Sequence, residues 1–242
     1  MIPRLTDWAM THVGAVRRHN EDALLARADL GLWVVADGAG GHQAGELASG
    51  MIVSALDQIE PGLSATELLN AVRARLAQTH RALRVEAQAR GPDTMIASTV
   101  IALILRDQHF ACLWAGDSRA YLLRGGALTQ INRDHSLVQE LVELGRITPE
   151  EAERHPQSNV ITRAIGIDTD EVEIDKVIGA IEPGDRFLLC SDGLSKTLSE
   201  TEIEALLGAP RGASPAELLV GAALARHVND NVTVVAVEIA AD

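Results

Sequence analysis

Four aspartates stand where apolar runs stop or start. Residues 32–36, 110–115 and 186–190 are apolar stretches that lead into Asp37, Asp117 and Asp192, and Asp230 precedes the run at 232–239. Taken alone, each is compatible with an ordinary turn, because Asp and the glycines beside it favour turn geometry. Together they raise a charge problem. Carboxylates gathered at strand ends repel one another unless protons or cations intervene, and oxygen ligands suit Mg²⁺ or Mn²⁺ better than a soft metal. No Cys or His pair has the spacing of a zinc site. A two-ion centre is the economical reading: such ions sit about 3.5–4 Å apart, lower the pKa of a bridging water and neutralise charge developing on a phosphoryl group. A phosphate also calls for a cation from the protein, and a guanidinium offers a planar fork for two of its oxygens. Arg17, four residues before Glu21, is the candidate, although its spacing alone suits a surface arginine equally well.

The acids need rigid supports. Residues 32–36 have the continuous apolar character of a strand buried on both faces, and Gly38, Gly40 and Gly41 follow it into a turn. A helix is expected from about residue 45 to 59, stopped by Pro61 and Gly62, with His42 opening it; a second runs from Ser64 to about Arg90, with Ser64 and Glu67 in capping-box spacing. Strands are expected from Thr11, at 23–28, 97–105, 109–115, 120–124, 128–131, 172–178, 186–190 and 232–239. Helices are expected at 137–144, from Thr148-Pro149, at 199–207 and at 214–227. Helices segregated from consecutive strands point to a single layered α+β domain over residues 1–242, not a doubly wound parallel sheet. The helical pair between strand regions reads as a flap.

Composition narrows the class. A length of 242 residues supports a substantial core, and a net charge of −13 argues against nucleic acid or an anionic membrane as partner. No apolar run approaches the roughly 18 residues of a membrane span, and no leader pattern opens the chain, so a cytoplasmic location is expected. Cys112 and Cys190 lie inside apolar runs and read as buried thiols. Lys176 and Lys196 are the only lysines, a bias to which no mechanistic weight attaches.

Residues 17–22 (Arg-Arg-His-Asn-Glu-Asp), 36–42 (Ala-Asp-Gly-Ala-Gly-Gly-His) with Gly45-Glu46, 116–119 (Gly-Asp-Ser-Arg), 191–193 (Ser-Asp-Gly) and 229–231 (Asn-Asp-Asn) resemble, in order, the motifs of the metal-dependent protein phosphatases of the PP2C type in their compact bacterial form. Each motif is weak singly; the ordered set is specific. The resemblance implies an α-β-β-α sandwich of two antiparallel sheets with a flap over about 136–165. It implies that Asp37 bridges two Mn²⁺ or Mg²⁺ ions, with Asp192 and Asp230 at one and Glu21 and the Gly38 carbonyl at the other. Asp22 would orient the attacking water, Arg17 would bind the substrate phosphate, and Asp117 with Asp192 would hold a third, weaker ion. The implied reaction is hydrolysis of phosphoserine and phosphothreonine in proteins by a water or hydroxide bridging the ions, reversing a Ser/Thr kinase; separately, a monomer is expected.

There are two departures from the pattern. Ala39 stands where some members carry a histidine proposed as general acid, and Ala97 stands where a glycine is common. Two other readings remain on the residues: a phosphoprotein-binding scaffold without turnover, and a two-metal hydrolase of small phosphate esters.

Overall fold

Alternation along the strands builds the layers. In a computed structural model describing residues 4–40, 44–91, 94–167, 169–210 and 212–240, one sheet has the order β1 (Leu5–His12), β11 (Val232–Ile239), β10 (Arg186–Cys190), β7 (Arg119–Arg124), β8 (Ala127–Gln130). The other has the order β2 (Asp22–Arg27), β3 (Leu32–Ala39), β5 (Val100–Arg106), β6 (His109–Ala115), β9 (Asp175–Ala180), with the two-residue β4 (Ala97–Ser98) also paired to β3. All neighbours pair antiparallel.

Successive side chains of a strand point to opposite faces, so each sheet divides its residues between two cores. Trp33, Val35, Ile101, Leu103, Phe187, Leu189, Val235 and Val237 fill the seam between the sheets. Their neighbours Val34, Ala36, Ala102 and Leu113 face outward onto helices α1 (Ala44–Asp57) and α2 (Ala65–Arg90). Leu188, Cys190, Val234 and Ala236 face outward onto α5 (Asp192–Ser195), α6 (Glu200–Leu207) and α7 (Pro215–Ala225). The result is the expected α-β-β-α sandwich. Each fully buried Val or Leu contributes roughly 1.5–3 kcal/mol. Cys112 lies in the seam and Cys190 in an outer layer, so a sheet separates the two free thiols.

The helix starts follow their signals. Ser64 and Glu67, Thr148 and Glu151, and Ser199 and Glu202 all form reciprocal capping boxes. Several elements differ from expectation, among them the run at 97–105, which breaks at Thr99 into β4 and β5. The first strand ends, instead of beginning, near Thr11, because Leu5 to His12 pair residue for residue with β11. The strand expected at 172–178 starts at Asp175, since Val172 and Ile174 pack against the α1/α2 core instead of joining the sheet. The turn α5 was not foreseen, being too short to show periodicity.

The flap carries α3 (Leu137–Glu143) and α4 (Pro149–Glu153). Two isolated bridges, Ser136 to Ile161 and Ser98 to Ile165, close its base. Among the described residues, no helix is long and apolar enough to cross a membrane.

Candidate active site

The seam stays apolar along most of its length and turns polar at one end. Asp37 follows Trp33 and Val35 on the same face of β3, and Asp22 lies directly opposite it on β2. Ser191 and Thr233 hold the corresponding positions beyond Leu189 and before Val235 on the facing sheet. The Ser191 hydroxyl donates to Asp22 Oδ2 at 2.8 Å and accepts from the Thr233 amide at 3.0 Å. Asp22 therefore joins the two sheets. Burial raises its pKa to about 7; hydrogen bonds from Thr233 and Ser191 oppose the shift, and the charges of Asp192 and Asp230 add to it.

The Asp37 amide donates to Thr99 Oγ1 at 3.1 Å, the Thr99 amide returns a bond to the Asp37 carbonyl at 2.8 Å, and Thr99 Oγ1 shares a hydrogen with Ser118 Oγ at 2.7 Å. Asp37 is partly exposed at the surface, yet protein crowds its carboxyl. Its pKa lies well above the usual carboxylate range, first through desolvation, then through Asp22, Asp192 and Asp117. Asp117 is raised to about 6 by burial and Asp192, with Lys196 opposing.

Asp192 and Asp230 come together by backbone approach. Gly193, next to Asp192, lies against Asn231, next to Asp230; a Cβ there would fall 1.9 Å from the Asn231 carbonyl oxygen. The Asn231 side chain organises the facing loop, accepting from the Glu21 amide at 2.8 Å and donating to the carbonyls of Val13 and His19 at 2.9 Å. Glu21 is thereby placed beside β3. The Gly38 amide donates to its carbonyl at 3.1 Å, and its carboxyl lies against Gly45. A Cβ on Gly38 would meet the Gly45 carbonyl oxygen at 2.1 Å, so the loop, β3 and the start of α1 need glycine here.

Among the described residues, two side-chain cations touch this cluster. Arg17 donates to Asp230 Oδ2 at 2.8 Å, with its side chain half exposed. Lys196 donates to Asp192 Oδ2 at 2.6 Å and Asp117 Oδ2 at 3.4 Å. Among the described residues no three His, Cys, Asp or Glu side chains form a closed cation cage. The donor set nevertheless fits hard divalent ions: clustered carboxylates raise one another's pKa, which cations relieve, and every donor is oxygen.

All the site residues read from the sequence fall at this end of the sandwich. Ala39 contributes no titratable group, and His42 and Gly41 lie outside the described residues. Three contributors were missed. Asn231 was a motif residue without a role. His135 holds the base of the flap: its Nδ1 accepts from the Gly116 amide at 3.3 Å, which leaves Nε2–H to face Asp175 at 3.2 Å, and burial lowers its pKa. Lys196 carried a signal in its spacing, four residues after Asp192.

A model described as protein phosphatase 2C matches residues 14–215. The chain belongs to that family. It is 39% identical over 226 residues to the serine/threonine protein phosphatase PstP of Mycobacterium tuberculosis, covering 93% of this chain and 43% of that protein, so it spans less than half of that relative's length. It is 34% identical over 236 residues to the serine/threonine phosphatase stp of Listeria monocytogenes, covering 94% of this chain and 93% of the relative. A structure of PppA, described as a key regulatory component of T6SS in Pseudomonas aeruginosa, superposes with a TM-score of 0.89 at 42% identity, covering 98% of both chains. A structure of the PstP catalytic domain in complex with 2 manganese ions superposes at 0.83 and 39% identity, covering 98% of both chains.

Proposed function

We propose that this protein hydrolyses phosphoserine and phosphothreonine in phosphoproteins, with two Mn²⁺ or Mg²⁺ ions held by Asp37, Asp192, Asp230, Glu21 and the Gly38 carbonyl. The observation that carries the reading is the convergence of Asp22, Asp37, Asp117, Asp192 and Asp230, whose charges act on one another at the polar end of the seam. When bound, the ions make water a competent nucleophile near neutral pH and neutralise charge on the phosphoryl group.

The chain's own residues do the positioning. Arg17 exchanges Asp230 for the substrate phosphate, a move that its exposed side chain permits. Asp22, fixed by Ser191, accepts a hydrogen bond from the attacking water and aligns it with phosphorus. The P–O bond to the Ser or Thr oxygen breaks as the new one forms. Ala39 cannot supply a proton to that oxygen, so the proton comes from water. The flap borders the site and contacts the phosphoprotein. The enzyme acts as a monomer in the cytoplasm, reversing a Ser/Thr kinase.

The test is phosphate release from a phosphothreonine peptide by EDTA-stripped protein to which Mn²⁺ or Mg²⁺ is restored. Turnover that requires the ion and exceeds that on free nucleotides is expected. Peptide binding without turnover would make the chain a scaffold, and faster turnover of nucleotides would make it a small-ester hydrolase.

A further inference from the structure

Lys196 has three N–H donors and meets three side-chain oxygens: Asp192 Oδ2 at 2.6 Å, Asn159 Oδ1 at 2.8 Å and Asp117 Oδ2 at 3.4 Å. We propose that Lys196 is a built-in cation filling the position between Asp117 and Asp192, so that the protein holds two divalent ions and not three. It also fastens the flap to the rim of the site through Asn159. The inference rests on the metal-dependent reading above.

The local sequence delivers the ammonium to this place. Asp192 opens the helical turn α5 and Lys196 caps it, with the Lys196 amide donating to the Asp192 carbonyl at 2.8 Å. Acid before lysine at this separation is the favourable order on a helix. Asp117 arrives separately, just after β6, with its side chain only 8% exposed. Arg119, two residues on, does not serve it, because that guanidinium forms a forked pair with Asp134 at 3.0 and 2.8 Å. Among the described residues, Lys196 is thus the side-chain cation against Asp117.

Competition then favours the lysine. A tethered group acts at an effective concentration in the millimolar range or above whatever the supply of metal, so a weak third ion must displace it. Displacement would also release Asn159. That residue lies two positions before Ile161, the bridge partner of Ser136, so the same ammonium reaches the base of the flap.

The test counts Mn²⁺ bound per full-length chain by equilibrium dialysis of EDTA-stripped protein, with free Mn²⁺ read by electron paramagnetic resonance. Wild type should saturate at two ions, Lys196→Arg also at two, and Lys196→Ala at three. The ion gained should vanish in the Lys196→Ala, Asp117→Asn double variant. Hydrogen exchange of the flap amides should be faster in metal-free Lys196→Ala than in metal-free wild type.

A wild type that binds three ions overturns the inference and leaves the proposed function standing, as does a Lys196→Ala protein that stays at two. A wild type that binds none overturns both. Should Lys196→Ala fail to fold, the counts for wild type and Lys196→Arg still decide.

Discussion

The two ends of strand β10 carry aspartates in opposite circumstances. Asp185, just before the strand, has a side chain only 1% exposed and is gripped by the Arg124 fork at 2.8 and 2.6 Å, with the Glu182 amide donating at 2.8 Å. Asp192, just after it, sits among Asp22, Asp37 and Asp117, with Lys196 on one oxygen. The fold neutralises the first acid fully and leaves the second in a cluster of like charge. A buried charge with all its partners is architecture, whereas a group of acids that raise one another's pKa stores a demand for cations.

That contrast can be broken by experiment. Asp192→Asn or Asp37→Asn should lower Mn²⁺-dependent kcat on a phosphothreonine peptide by about 10³-fold or more. Metal-free Asp37→Asn should melt no lower than metal-free wild type, because a carboxyl crowded by Asp22, Asp192 and Asp117 has gone. A clear loss of stability there would make that acid structural. Asp185→Ala should behave in reverse, costing about 2–3 kcal/mol in urea unfolding, since Arg124 is partly exposed, while kcat per folded molecule stays within about twofold.

The pH dependence of the metal-free protein sharpens the same point. Asp22 and Asp117, raised to about 7 and about 6 from 3.8, keep protons in the folded state that the unfolded chain has released. Stability should therefore be greatest below the unfolded value and fall as pH rises from about 4 to 7. Asp117 contributes to the fall up to about pH 6 and Asp22 up to about pH 7. Urea midpoints measured in EDTA should show the fall, Asp22→Asn should flatten it, and added Mn²⁺ should reverse it. The smallest expected effect is that of Arg17→Ala, which should raise KM about tenfold with kcat little changed, or about 1.4 kcal/mol of phosphate binding.

Much of this was legible in the chain. The acids announced themselves because each sits where an apolar run stops or starts, and the capping boxes at Ser64, Thr148 and Ser199 marked helix starts through side chains three residues apart. What escaped was set by distant partners or by very short elements. The strand at Leu5–His12 takes its bounds from residues 232–239, more than 200 positions away. Val172 and Ile174 are apolar enough for a strand but bury themselves against helices. Lys196 looked like a compositional remainder, because a four-residue helical turn gives no periodicity and Asp117 reaches it only through the fold.

The flap's two bridges bear on how such a protein can change over time. Ser136 to Ile161 and Ser98 to Ile165 pin the insertion at its neck, while the helices beyond are joined to the sandwich at few points. Mutations that lengthen or reshape the tip leave the strand ends carrying the acids where they are. On the proposed function, recognition of different phosphoproteins can thus diversify among descendants of one ancestor, while the cluster of acids at the strand ends is inherited intact.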